Sequence, residues 1–288
     1  MEPRQIIYII FSGIVVGGVY ALTAVGLTLI LGVMRVINLA HGSFFMVGCF
    51  ATYFILSNTK LHPLLILLLT AMIVFIIAIF FEFLVVRRTK TDLMRVSVGT
   101  FTIAVFLEEA VRIKWGKIYR SAPSYITGTF DFFGLTFDNQ RIVAFVVSVF
   151  VIIGLVLYIK KSRFGRAIRM IQQDREMASL LGINVNLVDL MIFGSAGALA
   201  GVAAGLLTPL YMIYPPMGWP PLLKSFAIVI LGGMGSVGGT IIASFIFGIV
   251  EIGTVFFFGS QWAYAAVFLI LIIILLVRPK GIFGKDIF

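Results

Sequence analysis

Long apolar blocks alternate along this chain with short polar connectors, and no polar stretch of domain length separates them. The blocks run to roughly 18–28 residues, each long enough to cross a hydrocarbon core about 30 Å thick as an α-helix rising about 1.5 Å per residue. They are continuous runs of Leu, Ile, Phe and Gly, without the polar–apolar alternation of a membrane-barrel strand. A bilayer core offers no water to satisfy backbone groups, so the helix is the remaining spanning form. The pattern predicts spanning helices at about 6–32, 39–57, 63–86, 94–111, 141–159, 187–208, 238–258 and 262–277. A further apolar stretch at 222–232 is about half as long and is followed at once by GGMGSVGG, which predicts a re-entrant or discontinuous half-helix. The expected fold is an all-α integral membrane protein, a polytopic bundle of about eight transmembrane helices plus a half-helix. Residues 1–288 are expected to form one transmembrane domain.

Composition closes off the alternatives. With 61% hydrophobic and 12% charged residues and a mean hydropathy of +1.13, a water-soluble domain could not hide its apolar surface. The first block is too long for a signal-peptide core and follows a single basic residue, Arg4, so it is read as retained. A net charge of +10 raises the question of nucleic acid, but the basic residues sit in the connectors VRRTKTDLMR and KKSRFGRAIR and in the tail VRPKGIFGK rather than on one solvated face. Short loops rich in Lys and Arg stay in the cytoplasm, and this sets the expected orientation. The resulting external connector, 112–141, is itself basic, and its Trp115, Tyr119 and Tyr125 suit a segment lying along the headgroups. Cys49, His41 and His62 are too few for a disulfide framework or a metal cluster, so no metal site is expected.

Two polar interruptions carry the candidate function. The stretch FGRAIRMIQQDREMASLLGINVN, roughly 164–186, with a candidate coupling segment at about 164–184, lies between two spans on the basic side. Asp174 stands where it caps a short helix, and Gly182 stops that helix through the left-handed turn glycine tolerates. A short helix parallel to the membrane is a mechanical contact surface, with Gly165, Arg166, Arg169, Asp174, Arg175, Glu176, Ala178 and Gly182 as its candidate coupling residues. In LTLILGVMRVINLAHGSFFMVG, polar residues break a long apolar pattern at membrane depth. Either this is an ordinary connector turn, or Asn38, His41, Gly42 and Ser43 line a solute path as broken helices do in transporters. Gly232, Gly233, Gly235 and Ser236 after the half-helix join that candidate path, their membrane context favouring a tight turn over a phosphate cradle.

Small residues mark the packing. In lipid, helices approach closely where side chains are absent, and Gly194, Gly197, Gly201 and Gly205 form overlapping GxxxG spacings that make 187–208 a central helix; Gly13 and Gly17 do the same for the first span. Ionisable residues inside the spans are few. Glu108 and Arg112 are spaced to pair on one helix face, and Glu251 and Glu109 are candidates for the solute path or a subunit interface. No catalytic nucleophile–base set is visible, so the chain is not expected to be an enzyme. Nor is there a GxxxxGK[ST] phosphate loop, so any ATP and Mg must be bound by other chains.

The polar segment around Glu176 resembles the coupling segment of ABC importer permeases, whose pattern is Glu-Ala-Ala, three residues, then Gly. Glu176, Ala178 and Gly182 fall at the matching positions, with Met177 in place of the middle Ala. GLTLILGVMRVINLAHGSFF, FGRAIRMIQQDREMASLLGINVN, ILGGMGSVGGTIIASFIFGIVE and VRPKGIFG follow in that order, and over nearly the whole chain they resemble the LivH-type permeases of branched-chain amino-acid ABC transporters. The resemblance implies a type II importer fold and pairing with a second, LivM-like permease. It further implies two cytoplasmic ATPase subunits and a periplasmic binding protein that delivers leucine, isoleucine or valine. The expected location is the bacterial inner membrane. A permease for urea or short amides shares the VINLAHG and Gly-rich signatures and stays open as an alternative, as does an ATP-independent carrier or channel.

Overall fold

A computed structural model describes residues 3–89, 92–132, 135–278 and 281–283. Helices form at every position the apolar pattern marks. They are α1 (Pro3–Leu29), α2 (His41–Asn58), α3 (Pro63–Phe81), α5 (Leu93–Trp115), α6 (Asn139–Lys161), α9 (Val185–Leu207), α11 (Val237–Phe258) and α12 (Ala263–Val277). Single π-helical turns extend α1 through Ile30–Met34 and α3 through Glu82–Val86, the latter running into the short α4 (Arg87–Thr89). The polar connectors start these helices by satisfying their first N–H groups. Asp92 accepts from Met94 N at 2.9 Å, Asp138 from Gln140 N at 2.9 Å, Asn184 from Leu187 N at 3.1 Å and Ser236 from Gly239 N at 3.1 Å.

Among the described residues, six helical stretches are long and apolar enough, by length and composition, to cross a membrane, against about eight expected. α2 and α5 form but fall outside that set: α2 opens on His41-Gly42-Ser43 and closes on Ser57-Asn58, and α5 carries Arg95, Glu108, Glu109, Arg112 and Lys114. The 222–232 stretch is part of α10 (Trp219–Gly232), whose 14 residues extend about 21 Å. That falls short of a core about 30 Å thick, as a half-helix requires.

One connector adds a short hairpin that the apolar pattern does not predict. In the 112–141 connector, β1 (Thr129–Phe132) pairs antiparallel with β2 (Leu135–Asp138), Thr129 opposite Asp138 and Phe130 opposite Phe137. The alternation of TFDF and LTFD sends Phe137 to one face, where it is buried and stacks on Tyr8 and Phe11 of α1 at ring separations of 5.8 and 4.4 Å. The connector is held on the bundle by its aromatic residue and by Arg120, whose backbone exchanges hydrogen bonds of 3.0 and 2.8 Å with Ile213.

α9 is the centre, as its glycines predict. A Cβ at Gly197 would lie 2.6 Å from Ala78 Cβ, and one at Gly201 would lie 3.1 Å from both Ala71 Cα and Thr70 O; Gly194 faces Phe75 and Ile79, and Gly205 faces Leu67. All four lie against α3, whose approach depends on the missing side chains. Gly13 and Gly17 admit α11 in the same way, through Ile249, Ser244 and Phe245.

Chain segments gather consistently at the two ends of the bundle. At one end the π turn closing α1, the segment after α6 and the residues after α10 come together: Arg175 donates to Val33 O at 3.3 Å, and Ile282 N to Leu231 O at 2.8 Å. At the other, Arg120 meets Ile213, and Tyr125 donates to Gly205 O at 3.0 Å. The basic connector after α6 thus shares an end with Arg35. Lys90, Lys280 and Lys285 of the basic connectors lie outside the described residues.

Candidate functional site

The stretch after α6 folds as two short helices, α7 (Arg163–Gln173) and α8 (Arg175–Leu180), broken at Asp174. Ser162 caps α7 by accepting from Gly165 N at 2.9 Å. α7 is amphipathic: Gly165, Ile168 and Ile171 are buried while Arg163, Arg166 and Arg169 face outward. Gly165 sits against Ile159 O, where a Cβ would lie 1.8 Å away, and Arg169 donates to the same carbonyl at 2.6 Å, so α7 turns back tightly on the end of α6. Asp174 then accepts from Glu176 N and Met177 N, both at 2.9 Å, and Gly182 ends the unit at φ +83°.

This unit is anchored through a charge. Arg175 pairs with Asp189 of α9, a fully buried carboxylate, and also reaches Val33 O at the end of α1. Ala178 is buried beneath α8, whereas Glu176, Met177, Leu180 and Leu181 are exposed. The outer face of α8 therefore presents an apolar knob beside a carboxylate, and its inner face is fixed to two helices of the bundle.

The second interruption keeps Asn38, His41 and Ser43 inside the bundle, while Arg35 and Ile37 are exposed. Arg35 takes a left-handed conformation (φ 56°, ψ 33°), unusual for a residue with a Cβ, and turns the chain back into the bundle. Asn38 accepts from Ala40 N at 3.0 Å, and Thr100 Oγ1 accepts from Leu39 N and donates to Ile37 O, both at 3.2 Å. His41 reaches Thr23 O at 2.9 Å; a carbonyl only accepts, so Nε2 carries the proton. Gly42 meets Gly218, whose carbonyl oxygen would lie 2.2 Å from an added Cβ, and Ser43 donates to Ala104 O at 3.3 Å. Asn38, His41, Gly42 and Ser43 are all buried in contacts between helices. The Gly-rich run is likewise a tight turn: Gly232 packs on Gly239, Gly233 and Gly235 take φ +94° and +82°, and Ser236 caps α11.

A cavity of about 370 Å³ opens beside this interruption, with Tyr20, Phe45, Leu207, Met217, Lys224 and Glu251 among its walls. Lys224 of α10 donates to Glu251 Oε1 of α11 at 2.6 Å and to the Tyr20 hydroxyl of α1 at 2.7 Å, and Tyr20 donates to the same Glu251 oxygen at 3.2 Å. The ammonium also lies 4.7 Å from the centre of the Tyr20 ring. Both charged side chains are largely buried, 14% and 13% exposed. Glu251 Oε2 is buried and has no hydrogen-bond partner among the described residues. Hydroxyls continue the contact, Ser225 with Thr23 at 3.0 Å and Thr28 with Thr240 at 2.7 Å.

Of the candidate acids, Glu251 faces this cavity, while Glu109 pairs with Arg112 at 3.0 Å away from it. Glu108 accepts from Arg112 at 2.9 Å, as their spacing predicts, and from Trp219 Nε1 at 3.1 Å. The sequence pattern singles out neither Tyr20 nor Lys224. The signal for Lys224 was its place as the one charged residue within the apolar 222–232 stretch.

The family model for the permease component of branched-chain amino acid transport systems matches residues 9–277. The high-affinity branched-chain amino acid transport system permease protein BraD of Pseudomonas aeruginosa is 32% identical over 95% of this chain and 94% of its own length. Two LivH permease proteins of systems described in the same words are similar over 96% of this chain and 94% of theirs, that of Salmonella typhimurium at 30% identity and that of Escherichia coli at 31%. No solved structure matches the chain. A match this long, over a bundle whose described residues include six apolar helices of spanning length, means that the chain belongs to the family of branched-chain amino acid transport system permease components.

Proposed function

We propose that this chain is the transmembrane permease subunit of an ATP-binding-cassette importer that moves leucine, isoleucine or valine across the inner membrane by alternating access, with a bundle of the type II importer kind. In this reading it pairs with a second, LivM-like permease and receives solute from a periplasmic binding protein. Two cytoplasmic ATPase subunits, which hold the ATP and Mg, drive it. The observation that carries the proposal is the α7–α8 unit: capped at both ends, basic on the outer face of α7, apolar and acidic on that of α8, and joined to α9 and α1 through Arg175.

The mechanism follows from those attachments. A push on α8 passes through the Arg175–Asp189 pair into α9, which packs along α3, and through Val33 into α1. α1 and α9 bear Tyr20 and Leu207, both in the walls of the cavity, so their relative motion changes its access. The chain converts motion and breaks no bond.

The test is Glu176→Lys in vesicles reconstituted with the partner chains that co-purify. Reversing a charge on the docking face places like charges against a surface shaped for the opposite sign. Leucine uptake and leucine-stimulated ATP hydrolysis should fall by about tenfold or more while membrane insertion is unchanged. Undiminished coupling would refute the assignment of α8, and leucine flux persisting without nucleotide would favour an ATP-independent carrier.

A further inference from the structure

The cavity between α1, α2, α9, α10 and α11 holds charges that the transmission of motion does not require, and we propose that it is a binding site for a single zwitterionic amino acid, its carboxylate received by Lys224 and its ammonium by Glu251. This proposal rests on the importer reading and assigns that reading's substrate contact to named residues.

Charge balance is the first argument. An ion pair inside a membrane bundle is costly to desolvate and marks a solute path more often than a packing site. Packing does not need it here, because α10 and α11 are already brought together at Gly232 and Gly239, and α1 and α11 at Gly13, Gly17 and Gly248. A neutral pair that opens for a zwitterion exchanges one internal pairing for two external ones and leaves no charge unmatched. A lone anion or lone cation would strand one of the two side chains. An uncharged solute such as urea would open the pair with no ionic contact in return.

Geometry supplies the rest. Glu251 Oε2 is an acceptor without a partner among the described residues, and Tyr20 holds the other oxygen of the same carboxylate, so Glu251 stays fixed if Lys224 turns to a ligand. Pro220 and Pro221 in the first turn of α10 line the cavity beside Lys224. Phe45, Leu207 and Met217 give the cavity an apolar wall for an aliphatic side chain, and its volume of about 370 Å³ suits a small solute. When the ligand leaves, Lys224 and Glu251 close on each other, so the empty subunit returns with no unpaired charge.

The test is saturation-transfer NMR on the full chain purified with its co-purifying partners and without binding protein. The probes are L-leucine, isocaproate, isoamylamine and urea. L-Leucine should bind; isocaproate lacks the ammonium, isoamylamine lacks the carboxylate, and each should bind about tenfold or more weakly. Glu251→Gln and Lys224→Met should each weaken leucine to a similar degree. No leucine signal in the unaltered protein, equal binding of isocaproate, or unchanged binding by Glu251→Gln would each overturn the site. If the variants fail to elute as the unaltered protein does, the ligand series alone decides. Leucine uptake that stays ATP-driven with unchanged KM in Glu251→Gln sinks only this site, whereas a preference for urea over leucine sinks the substrate class of the importer reading.

Discussion

Arg175 and Asp189 show how one pair can link a surface helix to a buried one. Asp189 is fully buried and Arg175 is 38% exposed, so the two partners are not equivalent. Removing Arg175 takes a cation away from a carboxylate inside the bundle, whereas neutralising Asp189 leaves a cation that can turn toward water. Arg175→Ala is expected to destabilise the chain by about 1–3 kcal/mol, below the about 3–5 of a fully enclosed pair. Asp189→Asn should cost less, and thermal unfolding in detergent compares them; equal losses would mean that the pair carries no such asymmetry. At this scale the sequence was legible where a residue acts locally. Asp174 as a cap and Gly182 as a left-handed stop follow from their own chemistry and their neighbours in the chain. The partnership of Lys224 with Glu251 and Tyr20 joins three helices, so no local pattern could reveal it. Asn38 and His41 read as polar and therefore as candidates to face solute; Asn38 Oδ1 and His41 Nε2 bond to the backbone inside the bundle, while Asn38 Nδ2 and His41 Nδ1 are buried with no hydrogen-bond partner among the described residues.

At the scale of elements, α9 against α3 is the tightest test of packing by absence. A side chain at Gly201 would meet the backbone of Thr70 and Ala71, which cannot yield, while one at Gly154 on α6 meets nothing within 4 Å. Gly201→Val should lower stability by about 1–3 kcal/mol through overpacking, and Gly154→Val should leave it near the starting value. The melting temperatures of the two purified variants decide this, and equal values would remove the glycine argument. Gly182→Ala isolates conformation from contact, since no neighbour lies within 4 Å there and only its φ of +83° opposes a Cβ. It should cost about 1–2 kcal/mol of local order in α8, read as faster amide exchange at residues 176–181 with the rest of the bundle unaffected. Helices were legible because apolar length is a strong signal, and caps fell where connectors place Asp, Asn and Ser. The hairpin was not, since four-residue strands in a basic connector are too short for their alternation to stand out, and Phe137 is held by Tyr8 and Phe11 from the far end of the chain.

Over the whole molecule, the two candidate sites are joined by the same helices. α1 carries Tyr20 at the cavity and ends beside Arg175, and α9 carries Asp189 at one end and Leu207 at the other. A force applied at α8 therefore has a continuous packed route to the cavity, without a flexible linker between. That route depends on α8 standing at the cytosolic face with its outer side open to a partner. Cys49 is the only cysteine and is buried, so Met177→Cys in a Cys49→Ala background gives a single reporter on the exposed side of α8. The decisive measurement is its labelling by a membrane-impermeant maleimide in inverted and right-side-out vesicles. The account predicts labelling in inverted vesicles alone, suppressed when the ATPase chains are bound. Labelling from the periplasmic side, or a rate indifferent to those chains, would contradict it.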